Sequence, residues 1–189
     1  MPLRVIAGSA RGIQLRQPSG STRPTAARLR EALFSMLESA RLLRSPVLDL
    51  YAGSGALGIE ALSRGVEQCI FVEADGRACT AIEENLQHAR VTGGTVVRGR
   101  VGRWRPDPNL EVSLVIADPP YDDIASWSSI EASVHGVLMV DATIVVEHAA
   151  RHAPPARLAG RPLWRDRRHG EGAVAIYRVD SDERKDSWE

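Results

Sequence analysis

Lysine is almost absent from this chain. Lys185 is the only one, and arginine carries the rest of the positive charge. Genomic base composition alone can produce that bias, so it carries no functional weight. Cysteine is scarce as well, limited to Cys69 and Cys79. The two form no Cys-x-x-Cys pair and each sits among apolar residues. That pattern excludes a disulfide framework and suits buried thiols in a reducing compartment. No apolar run approaches membrane-spanning length, and Met1-Pro2-Leu3-Arg4 opens no signal peptide. A cytoplasmic protein is expected. Net charge is lacking too: 24 basic residues meet 24 acidic ones, for a formal charge of +0. Bulk attraction to a polyanion is therefore excluded. There is no Gly-x-Ser-x-Gly elbow, no Gly-Lys-Ser/Thr phosphate loop and no internal repeat. His148 and His152 stand four apart, but they leave a strand toward Pro154-Pro155, so no metal site is expected.

The chain has 189 residues, 43% of them hydrophobic and 25% charged, enough for one core with a small appendage. Charge is unevenly spread. Up to Pro46 there are eight Arg against two Glu, and such asymmetry favours nucleic-acid contact. Leu3 to Ala7 and Ile13 to Arg16 flank Gly8-Ser9-Ala10-Arg11-Gly12, which predicts a basic hairpin over residues 1–20. Arg4, Arg11 and Arg16 on it are candidate RNA contacts; the plainer reading is a solvated hairpin packed on the main domain. The main domain is expected over 21–180. Residues 181–189 are very polar and read as a disordered tail.

A helix follows, with Thr25 as its N-cap and Leu29, Ala32, Leu33, Met36, Leu37 and Ala40 on its core face. Arg28 and Arg30 fall off that face. Arg23, Thr25 and Arg28 gather at the helix start, which suits an anion, either a cofactor carboxylate or an RNA phosphate. Arg23 and Arg30 are placed with the RNA contacts, Thr25 and Arg28 with the cofactor.

Pro46 to Tyr51 reads as a first buried parallel strand. It enters Ala52-Gly53-Ser54-Gly55-Ala56-Leu57-Gly58, a Gly-x-Gly-x-x-Gly loop opening a helix to about Arg64. A second strand, Gln68 to Glu73, ends in an acid about 20 residues past the first glycine. Strand, loop, helix, strand and acid make a nucleotide-binding fingerprint. Gly53 and Gly55 let backbone approach a ligand, and Glu73 takes ribose hydroxyls. Tyr51, Ser54, Gly58 and Ala74 complete the expected cofactor-binding set. Asp49 sits inside the strand end, where a carboxylate meets a cationic amino group and repels a diphosphate. That favours S-adenosylmethionine over a dinucleotide.

Further strands are expected at 95–98, 112–117 and 142–148, with a helix within 124–138. A last hairpin joins 161–166 to 173–179, and its connection, Arg167-Arg168-His169-Gly170-Glu171-Gly172, is basic enough to be a candidate RNA contact.

Asp118-Pro119-Pro120-Tyr121 follows the apolar run Leu114-Val115-Ile116-Ala117. The prolines fix φ and hold the chain extended. The Asp118 carboxylate and the Pro119 carbonyl only accept hydrogen bonds, so an exocyclic NH2 is their natural guest. Tyr121 can stack on the ring carrying it. The bland alternative is an ordinary turn. In a doubly wound sheet this tetrapeptide and the glycine loop can share one crevice.

Together these residues resemble class I S-adenosylmethionine-dependent methyltransferases, and within them the RsmD family. The markers are Val5-Ile6-Ala7-Gly8 with Arg11-Gly12, Arg23-Pro24-Thr25 with Arg28, Arg30, Glu31, Leu33 and Phe34, the stretch from Leu48 through Gly58, Glu60 to Gly65, and Asp118-Pro119-Pro120-Tyr121. The resemblance implies an α/β fold, a doubly wound, seven-stranded, mostly parallel sheet with its last strand antiparallel. It implies methyl transfer from S-adenosylmethionine to the N2 of a guanine in bacterial 16S rRNA during small-subunit maturation. An N6-adenine methyltransferase and a non-catalytic RNA-binding assembly protein are the alternatives. One departure stands out: 98–103 holds no acid of the kind that often reads the cofactor's adenine.

Overall fold

β1, Val47–Leu50, is buried at every position, as expected of a strand covered on both faces. It pairs in parallel with β2 (Cys69–Glu73) on one side and β4 (Val112–Ala117) on the other. β3 (Gly94–Arg98) extends the sheet beyond β2, and β5 (Leu138–Ala149) continues it in parallel beyond β4. Then come β8 (Gly172–Tyr177), β7 (Arg161–His169) and β6 (Arg157–Leu158), each antiparallel to its neighbour. The order is β3-β2-β1-β4-β5-β8-β7-β6. This computed structural model describes residues 2–17, 27–121 and 123–179.

Helices cover both faces. α1 (Ala27–Ser39), α2 (Ala56–Ser63) and α3 (Gly76–Ala89) share one core with Phe71, Ile116, Val145 and Val174. α4 (Ser126–Val134) closes the other, over Leu48, Leu50, Val115 and Tyr177. Each fully buried Leu, Ile or Phe in these layers contributes roughly 1.5–3 kcal/mol.

The doubly wound α/β sheet is as expected, with one strand more. β6 has two residues, too few for any periodicity to show in sequence. β5 starts earlier than expected, at Leu138. α1 is rotated relative to the predicted stripe: Leu29, Arg30, Leu33, Phe34 and Leu37 face inward, while Ala32 is exposed. Phe34, fully buried, sets that rotation, because a phenyl ring gains more from burial than an alanine methyl.

The N-terminal hairpin forms, with the Val5 amide donating to Ile13 and that of Leu15 to Leu3. Leu3, Val5, Ala10 and Leu15 are buried in the core shared with α1, α2 and α3. Glu60 of α2 accepts the amides of Ile6 and Ala7 at 2.7 and 3.0 Å. Ser63 takes the Ala10 amide and donates to the Ala7 carbonyl. No helix among the described residues is long and apolar enough to cross a membrane.

Candidate active site

Leu50 and Ala117 are register partners at the carboxyl ends of β1 and β4. Here the strand order reverses, since β1 continues to β2 on one side and β4 to β5 on the other. A crevice opens at such a reversal. The amide of Asp118 donates to the Leu50 carbonyl at 3.4 Å. The glycine loop and the tetrapeptide therefore leave the sheet side by side, on one edge.

Tyr51 turns the chain with φ 59°, a left-handed conformation costly for a residue with a side chain. Burial and then Asp123 raise the pKa of its hydroxyl, and Ser129 of α4 opposes them. Gly53 also has positive φ, and a Cβ there would meet only the Tyr51 carbonyl, 3.9 Å away. This side of the loop is open. Gly58 is closed in: a Cβ would lie 2.3 Å from the Phe71 ring and 2.6 Å from the Cys69 sulfur. The missing side chain lets α2 press onto β2.

Two acids hold the loop. Glu73 accepts the Gly53 amide on Oε2 and the Asp75 amide on Oε1, both at 2.8 Å. Each oxygen keeps a further lone pair. Asp75 then caps α3, accepting the amides of Arg77 and Ala78, and Ala74 is exposed between the acids. Asp49 is 1% exposed, with Oδ2 accepting the Gly58 amide at 2.9 Å. Burial pushes its carboxyl well above the usual range; the Gly58 hydrogen bond opposes this, and Asp118 and Glu73 add to it. Asp49 thus anchors the first turn of α2 from behind the loop.

Within the tetrapeptide, Pro119 is buried, Pro120 exposed, and Asp118 and Tyr121 half-buried. The Tyr121 hydroxyl donates to Glu147 Oε1 of β5 at 2.6 Å. A Cβ on Gly172 would come within 2.5 Å of that hydroxyl, so the tyrosine lies against the start of β8. In the sequence Glu147 shows only as an acid closing the apolar run Ile144-Val145-Val146, with nothing to link it to Tyr121.

Asn85 was also missed. Its side chain bonds both backbone groups of Arg16 and the Ser54 carbonyl, fastening the end of the hairpin to the glycine loop. The Arg16 backbone is thereby held near the glycine loop, and its guanidinium pairs with Glu84 of α3 at 2.8 Å. Arg11 does not reach it. The hairpin tip docks on Ser63, at the far end of α2, about 12 Å from the loop at 1.5 Å per residue. Arg4 turns back on the same tip, to the Gly12 carbonyl and Gln14. Arg28 is exposed in the first turn of α1. Arg23 and Thr25 lie outside the described residues, as does the 181–189 tail.

Arg30 requires a correction. Expected on the RNA-facing surface, it is 1% exposed, donates to the Arg4 carbonyl and has Nε 3.9 Å from Glu60. Burial lowers its pKa and Glu60 opposes that. Glu60, itself fully buried, also accepts from Arg64 Nε at 2.8 Å. A buried carboxylate on α2 draws this arginine inward, so it is a structural group with no face left for RNA.

The fold, with this crevice at its reversal point, is that of the class I methyltransferases. The solved Escherichia coli protein yhhF, provisionally described as a methyltransferase, superposes with a TM-score of 0.77 at 30% identity, covering 95% of this chain and 99% of that one. The chain belongs to the family described as conserved hypothetical protein 95, whose model matches residues 3–178. It is similar to ribosomal RNA small subunit methyltransferase D of Escherichia coli K12, 30% identical over 98% of this chain and 94% of that protein. It is likewise similar to YlbH of Bacillus subtilis 168, provisionally named an rRNA methyltransferase, 34% identical over 93% of this chain and 98% of that one.

Proposed function

We propose that this chain methylates the exocyclic N2 of a guanine in small-subunit ribosomal RNA, with S-adenosylmethionine as donor. The observation that carries the reading is the pairing of Leu50 with Ala117, which sets the glycine loop beside Asp118-Pro119-Pro120-Tyr121. The names of the relatives support a ribosomal RNA substrate.

The residues fit the donor. The open side of Gly53 leaves room for it, and the spare lone pairs of Glu73 suit ribose hydroxyls. Arg28 is exposed in the first turn of α1 and is assigned the donor's carboxylate. When bound, the donor supplies an electrophilic methyl group on a sulfonium. Everything else falls to the chain. A guanine amine is a poor nucleophile because its lone pair is delocalised into the ring. Asp118 and the Pro119 carbonyl accept hydrogen bonds from its two N–H groups and favour a pyramidal nitrogen, and once the N–C bond has formed one of those protons passes by way of the Asp118 carboxylate to solvent. The Asp118 charge also stabilises the positive charge that grows there. Tyr121, fixed through its hydroxyl, stacks on the base and sets its distance. A paired guanine must first be flipped out of its helix. Such a substrate places the protein in the cytoplasm, where ribosomes assemble.

The test is direct. Small subunits from cells lacking the protein are incubated with it and labelled donor, and the RNA is digested to nucleosides. Labelled N2-methylguanosine supports the reading. N6-methyladenosine would replace the base assignment, and no labelled nucleoside would remove the activity.

A further inference from the structure

We propose that the projecting β7–β8 hairpin is a docking ridge for the RNA backbone beside the target base, with Arg167 and His169 on its working face. This rests on the function proposed above and adds the surface that holds the substrate.

Register places the ridge. β4 ends at Ala117, opposite Val146, but β5 runs on to Ala149, which pairs with Gly172. Three further residues carry β5 and the hairpin about 10 Å past the end of β4. The turn at Gly170 therefore stands on the same edge as the glycine loop, and the start of β8 touches Tyr121.

Residues paired across a sheet share a face, and faces alternate along each strand. Glu147, the acceptor of the Tyr121 hydroxyl, pairs with Val174, which pairs with Arg167. Arg167 therefore lies on the face of Glu147, two strand spacings or about 9.6 Å away. His169, through Gly172 and Ala149, shares that face. Arg168 pairs with Ala173 and His148, so it lies on the opposite face.

Charge completes the argument. β7 carries Arg161, Arg165, Arg167 and Arg168 against the single acid Asp166. Arg161 is committed, donating to the carbonyls of Ala142, Ala159 and Met139. Arg165 stacks over Trp164 at 4.0 Å. Asp166 is engaged on the other face by His148 at 3.1 Å. Arg167 and His169 are exposed, and among the described residues neither side chain has a hydrogen bond or ion pair. The Arg167 cation, held on a strand with no ion-pair partner and with the His169 ring beside it, lies two strands from the carboxylate that fixes Tyr121 and suits the phosphates flanking a base held there. Glu171 in the turn limits how far the positive face extends.

The experiment measures binding of a short single-stranded RNA with one central guanine, by fluorescence anisotropy across a salt series, in the presence of S-adenosylmethionine. Arg167→Glu is expected to weaken binding at low salt several-fold and to flatten the log–log salt slope by about 0.7, the loss of one phosphate contact. Arg167→Lys should retain most of the affinity, since a phosphate contact needs charge more than shape. Arg168→Glu, the same charge change on the opposite face, should cost much less. Calorimetric donor binding should be unchanged in all three. The ridge is refuted if Arg167→Glu binds like the parent, or if Arg168→Glu is equally damaging. A parent protein that binds the donor but no RNA at any salt would refute the ridge, whereas the proposed function falls only if small subunits give no labelled nucleoside.

Discussion

The amide of Asp118 reaches back 3.4 Å to the carbonyl of Leu50, joining the end of β4 to that of β1. Through this link the carboxylate proposed to hold the amine is positioned by the same strand that launches the glycine loop. Asp118→Ala should lower methyl transfer by about 100-fold or more, the usual cost of removing a group aimed at developing charge. Donor binding, measured by calorimetry, should be nearly unchanged. Normal turnover by this variant would refute the assignment.

Tyr121 and Glu147 share a 2.6 Å hydrogen bond. Tyr121→Phe keeps the ring but takes a donor from a carboxylate that is only 8% exposed. A loss of about 1–3 kcal/mol in stability is expected, with kcat falling less than in Asp118→Ala. Denaturant melts and steady-state kinetics check both halves. Equal damage to kcat in the two variants would mean that the hydroxyl, and not the ring, matters at the base.

Asp49 gives a prediction in pH. Burial holds its carboxyl well above the usual range, so the native state keeps this proton longer than the unfolded chain. Stability from this group is therefore present at low pH. It is lost as pH rises from the unfolded value, about 4, through the raised native one. Asparagine keeps an oxygen for the Gly58 amide and carries no charge. Above that window Asp49→Asn should be at least as stable as the parent, and the pH slope assigned to this site should vanish in urea melts. A variant less stable than the parent at alkaline pH would show that the charge is compensated.

Glu60 gathers the amides of Ile6 and Ala7 and the side chain of Arg64, beside that of Arg30. Glu60→Ala leaves buried cations without their carboxylate, at a cost of about 3–5 kcal/mol. Hydrogen exchange should rise first at Ile6 and Ala7. Unchanged protection at those amides would contradict the clamp.

The central strands, the glycine loop and the tetrapeptide were legible because each is local: an apolar run, a spacing of glycines, an acid before two prolines. Arg30 was not, because a helical wheel ranks arginine by its charge and cannot see a carboxylate supplied by Glu60. Nor was the fixing of Tyr121, whose partner Glu147 lies 26 residues on. Asn85 reads as an unremarkable helix position and Ser63 only as part of the Glu60 to Gly65 stretch, and their work on the hairpin shows only once the helices are packed. The rotation of α1 turned on Phe34, which the stripe of smaller residues passed over.

The clamp on the N-terminal hairpin also bears on how the molecule is made. Its contacts with α2 and α3 join residues 53 to 69 positions apart. During synthesis this hairpin must wait until both helices, which follow it in the chain, have been translated and folded. Leu3, Val5 and Leu15 meanwhile stay in solvent, in reach of other sticky chains. Closing that long loop is slow relative to forming a helix. The hairpin is thus a late seal on the domain, and slowed translation before Ala89 would prolong its exposure.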